Sequence, residues 1–327
     1  MAKKTICMSG IGGQAVLEGV MMKNKEDCAV AIRKPDGEID VEVTEYHGVL
    51  HGHMLTRIPF IRGVFSFMDS LILGTRAINH STQFYEEEEP KDTAVDRFFN
   101  RIFGDAKAEK VLTGIVMVFS FAVAIGLFII LPYYLSTILS DYILNSSLLA
   151  LVEGIIRLII FLLYVVAITL MKDIRRLYMY HGAEHKCINC IEHGHELTVA
   201  NVKKASRFHR RCGTSFLLFV MMVSIVLFMF IRVDSPVLRI VLRLLLIPVI
   251  AGISFEIIRL AGRTDNVFVR ILSAPGLLLQ RLTTKEPDDT MIEVGIRSVE
   301  AVFDWKAFLS ENFGLTEETD TDEQGQI

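Results

Sequence analysis

The sequence predicts an α-helical polytopic membrane protein of about four transmembrane helices, with a small β-rich unit at its N-terminus and a long polar loop between its second and third spans. Three observations predict this class. The 327 residues are 51% hydrophobic with a mean hydropathy of +0.42, which is too apolar for an ordinary soluble domain. Four stretches approach the roughly 20 apolar residues that cross a bilayer. Lys and Arg crowd the segment between the second and third stretches and are scarce in the turns on either side.

Taken in order, residues 1–57 read as a β-rich cytosolic unit. Met1 to Gly19 lacks the long apolar core of a secretory signal peptide. Cys28 to Arg33 and Ile39 to Val43 are β-prone runs, and Lys34-Pro35-Asp36-Gly37-Glu38 between them has the turn residues of a hairpin. Gly10, Gly12 and Gly13 suggest a backbone turn rather than a phosphate nest, because no complete GxGxxG or Walker pattern follows. Residues 58–82 form an amphipathic stretch. Arg62, Asp69 and Arg76 recur at heptad spacing along one narrow face, which makes a free-standing span expensive and favours an interfacial or re-entrant helix. Residues 83–110 are a linker whose Glu86 to Glu89 run is acidic.

The membrane domain covers residues 111–260, with spans at about 111–134, 148–171, 214–231 and 237–260. The loop at 172–213 carries Lys172, Arg175, Arg176, Lys186, Lys203, Lys204, Arg207, Arg210 and Arg211, whereas Ser136 to Ser147 has no Lys or Arg. That bias places the loop and both termini in the cytosol. In the spans, Glu153 and Arg157 lie one turn apart, as do Arg239 and Arg243. These four form either snorkelling arginines with one ion pair, or a membrane polar pocket for a lipid head group or anionic substrate. Glu256 could face the loop or pair with Arg259 or Arg175. No span looks broken and no repeat appears, which weighs against a lipid or ion transport accessory. Residues 261–315 form a cytosolic C-terminal segment, interrupted at Ala274-Pro275-Gly276, with a helix-like run from Met291 to Leu309. Residues 316–327 make a disordered acidic tail.

Chemistry concentrates in the polar loop. His181-Gly182-Ala183-Glu184-His185 reads H-x-x-E-H, the order found in inverted zinc peptidases. On a helix the two histidines share a face one turn apart, and Glu184 lies beside them. In a catalytic arrangement His181 and His185 bind a divalent metal, with His209, Cys212 or a carboxylate such as Glu192 as third ligand. Glu184 is then the general base, and Arg207 or Arg211 stabilises an oxyanion or holds a phosphate. Zinc suits the donors, and manganese or iron fits a His/Glu set as well. In a structural arrangement Cys187, Cys190, His209 and Cys212 close a Cys3His zinc site that only staples the loop. The 5 cysteines are an odd number on cytosolic segments, which argues against a disulfide framework.

Four segments stand out together: Ile11-Gly12-Gly13-Gln14-Ala15-Val16-Leu17-Glu18-Gly19-Val20-Met21-Met22, Tyr180 to Lys186, Arg211-Cys212-Gly213-Thr214-Ser215-Phe216, and Pro275 to Gln280 followed by Thr283-Thr284-Lys285-Glu286-Pro287-Asp288-Asp289. In these segments the chain resembles the bacterial DUF1385 family. The likeness runs over roughly residues 10–305. It implies a metal-dependent enzyme and names no substrate. The family's second piece usually reads His-Pro-Arg-Cys-Gly-Thr, and Arg210 stands here in place of the proline. The CxxC pair is not part of the signature, so the resemblance favours His181, Glu184, His185, His209 and Cys212. The Gly-Gly-Gln-Ala and Gln-Arg-Leu-Thr-Thr-Lys-Glu-Pro segments are expected to cover the site from two sides.

The expected activity is metal-dependent hydrolysis at the cytosolic face of a bacterial inner membrane, with a lipid head group or a membrane-associated peptide as substrate. The alternatives are a non-enzymatic scaffold or regulator, or the transport accessory. With a net charge of −4 and no basic block, no nucleic-acid partner is expected.

Overall fold

The structure is a computed structural model and describes residues 6–50, 52–85, 105–231, 233, 235–261 and 267–315. It is mostly helical, with a small antiparallel sheet at the N-terminus. Strands β1 (Gly12–Val16), β2 (Gly19–Asn24), β3 (Asp27–Arg33) and β4 (Ile39–Glu45) follow one another in sheet order, so β1 and β4 are the edges. The hairpin at Asp36-Gly37 forms as the sequence predicts, with Gly37 at φ +90°. Strands β1 and β2 are additional to the prediction. Their glycines hide the strand pattern, yet a Cβ at Gly19 would lie 2.5 Å from the Ala31 carbonyl oxygen. Alternation puts Val20, Met22, Ala29 and Ala31 on one face and Val16, Met21, Val30 and Ile32 on the other, and both sets are buried.

Helix α1 (Ile61–Thr82) covers the second face with Leu73 and Ala77. Its polar stripe is partnered inside the protein. Arg62 pairs with Glu256 at 2.5 Å, Asp69 accepts from the Tyr46 hydroxyl at 2.8 Å, and His80 lies 3.1 Å from Glu42. Glu256 therefore meets Arg62, which the sequence reading did not name, and the Arg259 charge that it did name also acts on Glu256. The predicted acidic run at Glu86 to Glu89 and the tail from Thr316 lie outside the described residues.

The apolar helices follow. Helix α2 (Asp105–Ile125) passes through a π turn at Gly126–Ile130 into α3 (Leu131–Thr137). Helix α4 (Ser146–Thr169) starts where the Asn145 side chain accepts from the Ser147 and Leu148 amides. Gly114–Thr137 and Ser147–Thr169 are each long and apolar enough to cross a membrane. After the polar segment come α5 (Lys172–Glu192), α6 (Val199–Lys204) and α7 (Gly213–Phe228). Then α8 (Pro236–Leu245) and α9 (Ile247–Ala261) together have the length of a span but are bent by 40°.

Among the described residues two helices, or three with the bent pair, thus reach spanning length against four expected. Helix α7 has 16 residues and rises about 24 Å, less than the roughly 30 Å of bilayer hydrocarbon. The expectation that no span is broken is also overturned. Pro248 follows the joint and supplies no amide to it.

Helices α10 (Val267–Thr283), α11 (Asp289–Glu300) and α12 (Trp305–Phe313) complete the chain. Helix α10 runs unbroken through Pro275, contrary to the sequence reading. It packs on α7 there, where a Cβ at Gly276 would fall 2.7 Å from the Ser215 hydroxyl, and tertiary packing outweighs the lost amide. The run from Met291 to Leu309 is two helices, because Asp304 caps a new one by accepting from the Ala307 amide. Helices α5 and α11 cover the first sheet face, so α5 lies in the main core.

Close backbone packing joins α1 to α9. A Cβ at Gly63 would sit 3.0 Å from the Gly252 Cα, and one at Gly252 would sit 2.5 Å from the Phe60 carbonyl oxygen, whereas one at Gly114 would meet nothing within 4 Å. The Gly252→Ala substitution is expected to cost about 1–3 kcal/mol by overpacking, seen as a melting point several degrees lower by circular dichroism in detergent. Gly114→Ala should leave the melting point unchanged or higher.

Candidate metal centre

From Tyr180 to Glu192 every residue of α5 except His181 is buried. This stretch can lie inside the protein because neighbouring segments cross it closely. The chain at Lys285 runs over Gly182, where a Cβ would stand 2.0 Å from the Lys285 carbonyl oxygen, and the Lys285 amide donates to the Tyr178 carbonyl at 2.8 Å. Gly182 is the residue that permits this crossing.

The histidine rings of His181 and His185 lie 4.4 Å apart. His181 Nδ1 is 2.8 Å from the Thr283 carbonyl oxygen, and His185 Nδ1 is 2.6 Å from that of Arg207. A carbonyl only accepts, so both Nδ1 atoms carry the proton and donate. Both Nε2 atoms are then the free donors of each ring towards a cation. His181 Nε2 lies 3.1 Å from Cys212 Sγ, and His185 Nε2 is buried with no hydrogen-bond partner. The ligand atoms of His181, His185 and Cys212 all fall within 4.8 Å of one another. Two neutral imidazoles and a thiolate match the donor chemistry of zinc, and the orphaned His185 Nε2 is the atom such an ion would satisfy.

The electrostatics agree with a cation at this point. Burial alone would raise the Cys212 thiol, but the His181 and His185 imidazoles beside it outweigh burial and hold it well below the usual thiol range. Burial alone would lower His181, but the Cys212 thiolate and its hydrogen bond push it up to about 9. Without a metal the two share a proton, which a divalent ion would displace. Glu184 is buried beside them. Burial raises its carboxyl above the usual carboxylate range, against the pull of His185 and His181, and Gly13 packs against it, a Cβ there falling 3.0 Å from Glu184 Cγ.

The other sequence candidates divide. His209 stacks near the site, its ring 5.6 Å from that of His185, but its Nε2 faces Glu192 at 3.6 Å and it stands outside the trio. Glu192 accepts from the Ser9 amide at 2.9 Å, from the Ser9 hydroxyl at 2.7 Å and from Arg211, which commits both Glu192 and Arg211. Arg207 turns to Glu286 at 3.5 Å. Cys187 and Cys190 join the core. A Cβ at Gly295 would sit 2.9 Å from Cys187 Sγ, and the Cys190 thiol donates to the Glu196 carbonyl at 3.3 Å, so the structure does not bring this pair to Cys212.

Residues that motif reading did not assign complete the surroundings. Gln280 accepts from the His209 amide at 2.9 Å and donates to its carbonyl at 2.7 Å. Thr283 and Gly13 contribute through their backbones, which leave no residue-type signal. Their segments do flank the site from two sides, as the resemblance led us to expect. Gly10 to Ala15, with His181, Glu184, His209, Arg211 and Cys212, border a cleft of about 750 Å³.

The polar set on the apolar helices is a closed cluster. Arg243 donates to both Glu153 oxygens at 2.5 and 2.7 Å, and Arg157 to Glu153 at 2.8 Å. Arg157 also reaches the Phe128 carbonyl at 2.9 Å. Arg239 instead donates to the Val233 carbonyl at 2.6 Å. Glu153 and Arg157 are 4% exposed and Arg243 2%, so the cluster is an ion lock rather than an open pocket. Glu153→Gln leaves two buried guanidiniums without their counter-charge and is expected to cost about 3–5 kcal/mol. Arg239→Ala should cost well under half of that. Paired thermal melts check this, and equal losses would show that Glu153 does not organise the cluster.

The family described as "Protein of unknown function (DUF1385)" matches residues 58–305. The "Uncharacterized protein YqhQ" of Bacillus subtilis (strain 168) is 34% identical over 303 residues, which cover 92% of this chain and 94% of that relative. No solved structure matches the chain. The match over both the apolar helices and the candidate metal centre is of the extent that a shared family requires, and the chain belongs to the DUF1385 family.

Proposed function

We propose that this protein is a metal-dependent hydrolase working at the cytosolic face of the bacterial inner membrane. The observation that carries this reading is the pair of imidazoles whose Nδ1 protons are fixed on backbone carbonyls while both Nε2 atoms converge with Cys212. A structural site would close its fourth position, whereas two of these donors, His181 and Cys212, line the cleft. A divalent cation held there would polarise a water or a substrate carbonyl. The chain's own part follows from geometry. His181, His185 and Cys212 hold the ion. Glu184, raised by burial, takes a proton and returns it to the leaving group. Arg211 lines the cleft, where Glu192 fixes it and answers its charge, so its part is to position substrate by hydrogen bonding rather than to act as a free cation.

The membrane assignment rests on the two or three helices of spanning length and on exposed large side chains such as Val118 and Phe119, which are 70% and 68% exposed. We read four crossings, with α7 as the short third. Both termini and the polar segment are cytosolic by the distribution of Lys and Arg.

One observation favours a second reading. The 3.1 Å contact of His181 Nε2 with Cys212 Sγ is also the arrangement of a thiolate nucleophile beside its imidazole. Metal content by mass spectrometry separates the two. We expect about one equivalent of zinc, manganese or iron in wild type. It should be lost in the His181→Ala/His185→Ala double variant and kept in the Cys187→Ala/Cys190→Ala double variant. Glu184→Gln should retain the metal while slowing hydrolysis of a labelled protein substrate by at least about 10²-fold. A folded wild type that takes up no metal would sink the first reading and leave the thiolate one.

A further inference from the structure

We infer that the substrate is a polypeptide held in extended form, added as a fifth strand along the free edge of β1. This deepens the proposed hydrolase reading and rests on it for the chemistry, but not for the binding. Four observations point to it.

The first is topological. β1 is an edge strand, and an unpaired edge is a template for another chain. The second is register. Val16 pairs with Gly19 across the two-residue connection Leu17-Glu18, so this closing pair is hydrogen-bonded. In an antiparallel ladder bonded and non-bonded pairs alternate. Gly12, Gln14 and Val16 therefore turn their backbone groups to β2, while Gly13 and Ala15 turn theirs away from it. Glu184 Cγ lies 3.0 Å from where a Cβ at Gly13 would stand, so the candidate general base packs against the same strand.

The third observation is the shape of the cleft. It runs beside Gly10 to Ala15, with Ser70 and Leu73 of α1 above and Leu177, His181, Glu184 and Ile188 of α5 below. A strand lying there would point alternate side chains at the α1 wall and at the α5 floor, and its backbone would pass the His181, His185 and Cys212 trio. Gly12 and Gly13 are exposed and bring no side chain into the way. A Cβ at Gly13 would in any case lie 2.6 Å from the Met21 carbonyl oxygen and 3.0 Å from Glu184 Cγ.

The fourth observation disfavours a phosphorylated lipid head group as occupant. Such a ligand needs converging cations. Arg211 is held by Glu192, and Lys23 donates to the Tyr46 carbonyl at 3.2 Å. Of the cleft's Lys and Arg, that leaves Lys25, and one lysine beside a buried carboxylate is a poor phosphate site. An extended backbone asks instead for the outward N–H and C=O groups that β1 offers.

The test is fluorescence anisotropy of fluorescein-labelled β-casein, a chain without stable folds, titrated with the full protein in lipid nanodiscs, with empty nanodiscs as blank. Ala15→Pro deletes one outward amide and leaves the β2 ladder bonds intact, a change that edge strands tolerate. Ser70→Trp fills the cleft from α1 while leaving the sequence of β1 unchanged. We expect each to weaken casein binding at least tenfold while metal content and melting point stay near wild type. Should Ala15→Pro fail to fold, Ser70→Trp decides alone. No casein binding by wild type, wild-type affinity in the folded variants, or displacement of casein by millimolar glycerol 3-phosphate would each overturn the inference. The two readings fail separately. Casein binding that is lost in the variants of a protein without metal keeps the strand site and removes the metal, and one metal equivalent without casein binding does the reverse.

Discussion

The arrangement depends on one constraint: a helix rich in His, Glu, Lys, Asn and Cys runs through the centre of the protein, and its buried polar groups must be satisfied there. Burying an amide or hydroxyl without a partner costs roughly 2–7 kcal/mol. The following segment meets that demand almost residue by residue. The Lys186 ammonium donates to the Lys203 and Ala205 carbonyls at 2.8 and 3.0 Å, Asn189 to those of Ser206 and Phe208 at 2.6 and 3.0 Å, and His185 Nδ1 to that of Arg207 at 2.6 Å. Residues 185, 186 and 189 share one face of α5. The segment after α6 is therefore bound to that face through its carbonyls, and this is what delivers His209 and Cys212 to the site. A second segment is tied on by the Lys285 amide and by the Thr283 carbonyl.

The bookkeeping leaves His185 Nε2 without a partner at the centre of the site. Other buried polar side chains of this helix do find partners, Lys186 in Glu286 and Glu192 in Arg211. The His185 nitrogen, beside His181 and Cys212, is the atom a bound cation would satisfy. The same economy explains why Cys187 and Cys190 behave as core residues. They pack under Gly295 and against the turn after α5, where a thiol is a small apolar group.

Much of this was legible in the sequence. The first two apolar helices could be placed to within a few residues, because a run of 20 uncharged residues has few alternatives to a buried or lipid-facing helix. The β3–β4 hairpin was legible through Asp36-Gly37. The spacing of His181, Glu184 and His185 on a helix gave one face of the site. Strands β1 and β2 were not legible, because glycines at 12, 13 and 19 reflect close backbone approach to neighbours that only the tertiary structure reveals. The break at Leu246 was masked by continuous hydrophobicity, and the continuity of α10 by Pro275. Nor could spacing choose between His209 and Cys212 as the third ligand. Both precede α7, and their separation depends on Glu192, 17 residues away in sequence, holding His209 and Arg211 to itself.

The bend between α8 and α9 acquires a mechanical meaning once its two arms are followed outward. The first arm is fastened by Arg243 to Glu153 on α4. The second is fastened by Glu256 to Arg62 and by Gly252 against Gly63 on α1. Helix α1 is the same rod whose Ser70 and Leu73 border the cleft. The elbow is thus clamped at both ends, to the apolar bundle on one side and to the wall of the cleft on the other. While both clamps hold, any change in the elbow's angle must be taken up by tilting that wall, which makes the width of the cleft a function of how the apolar helices are splayed.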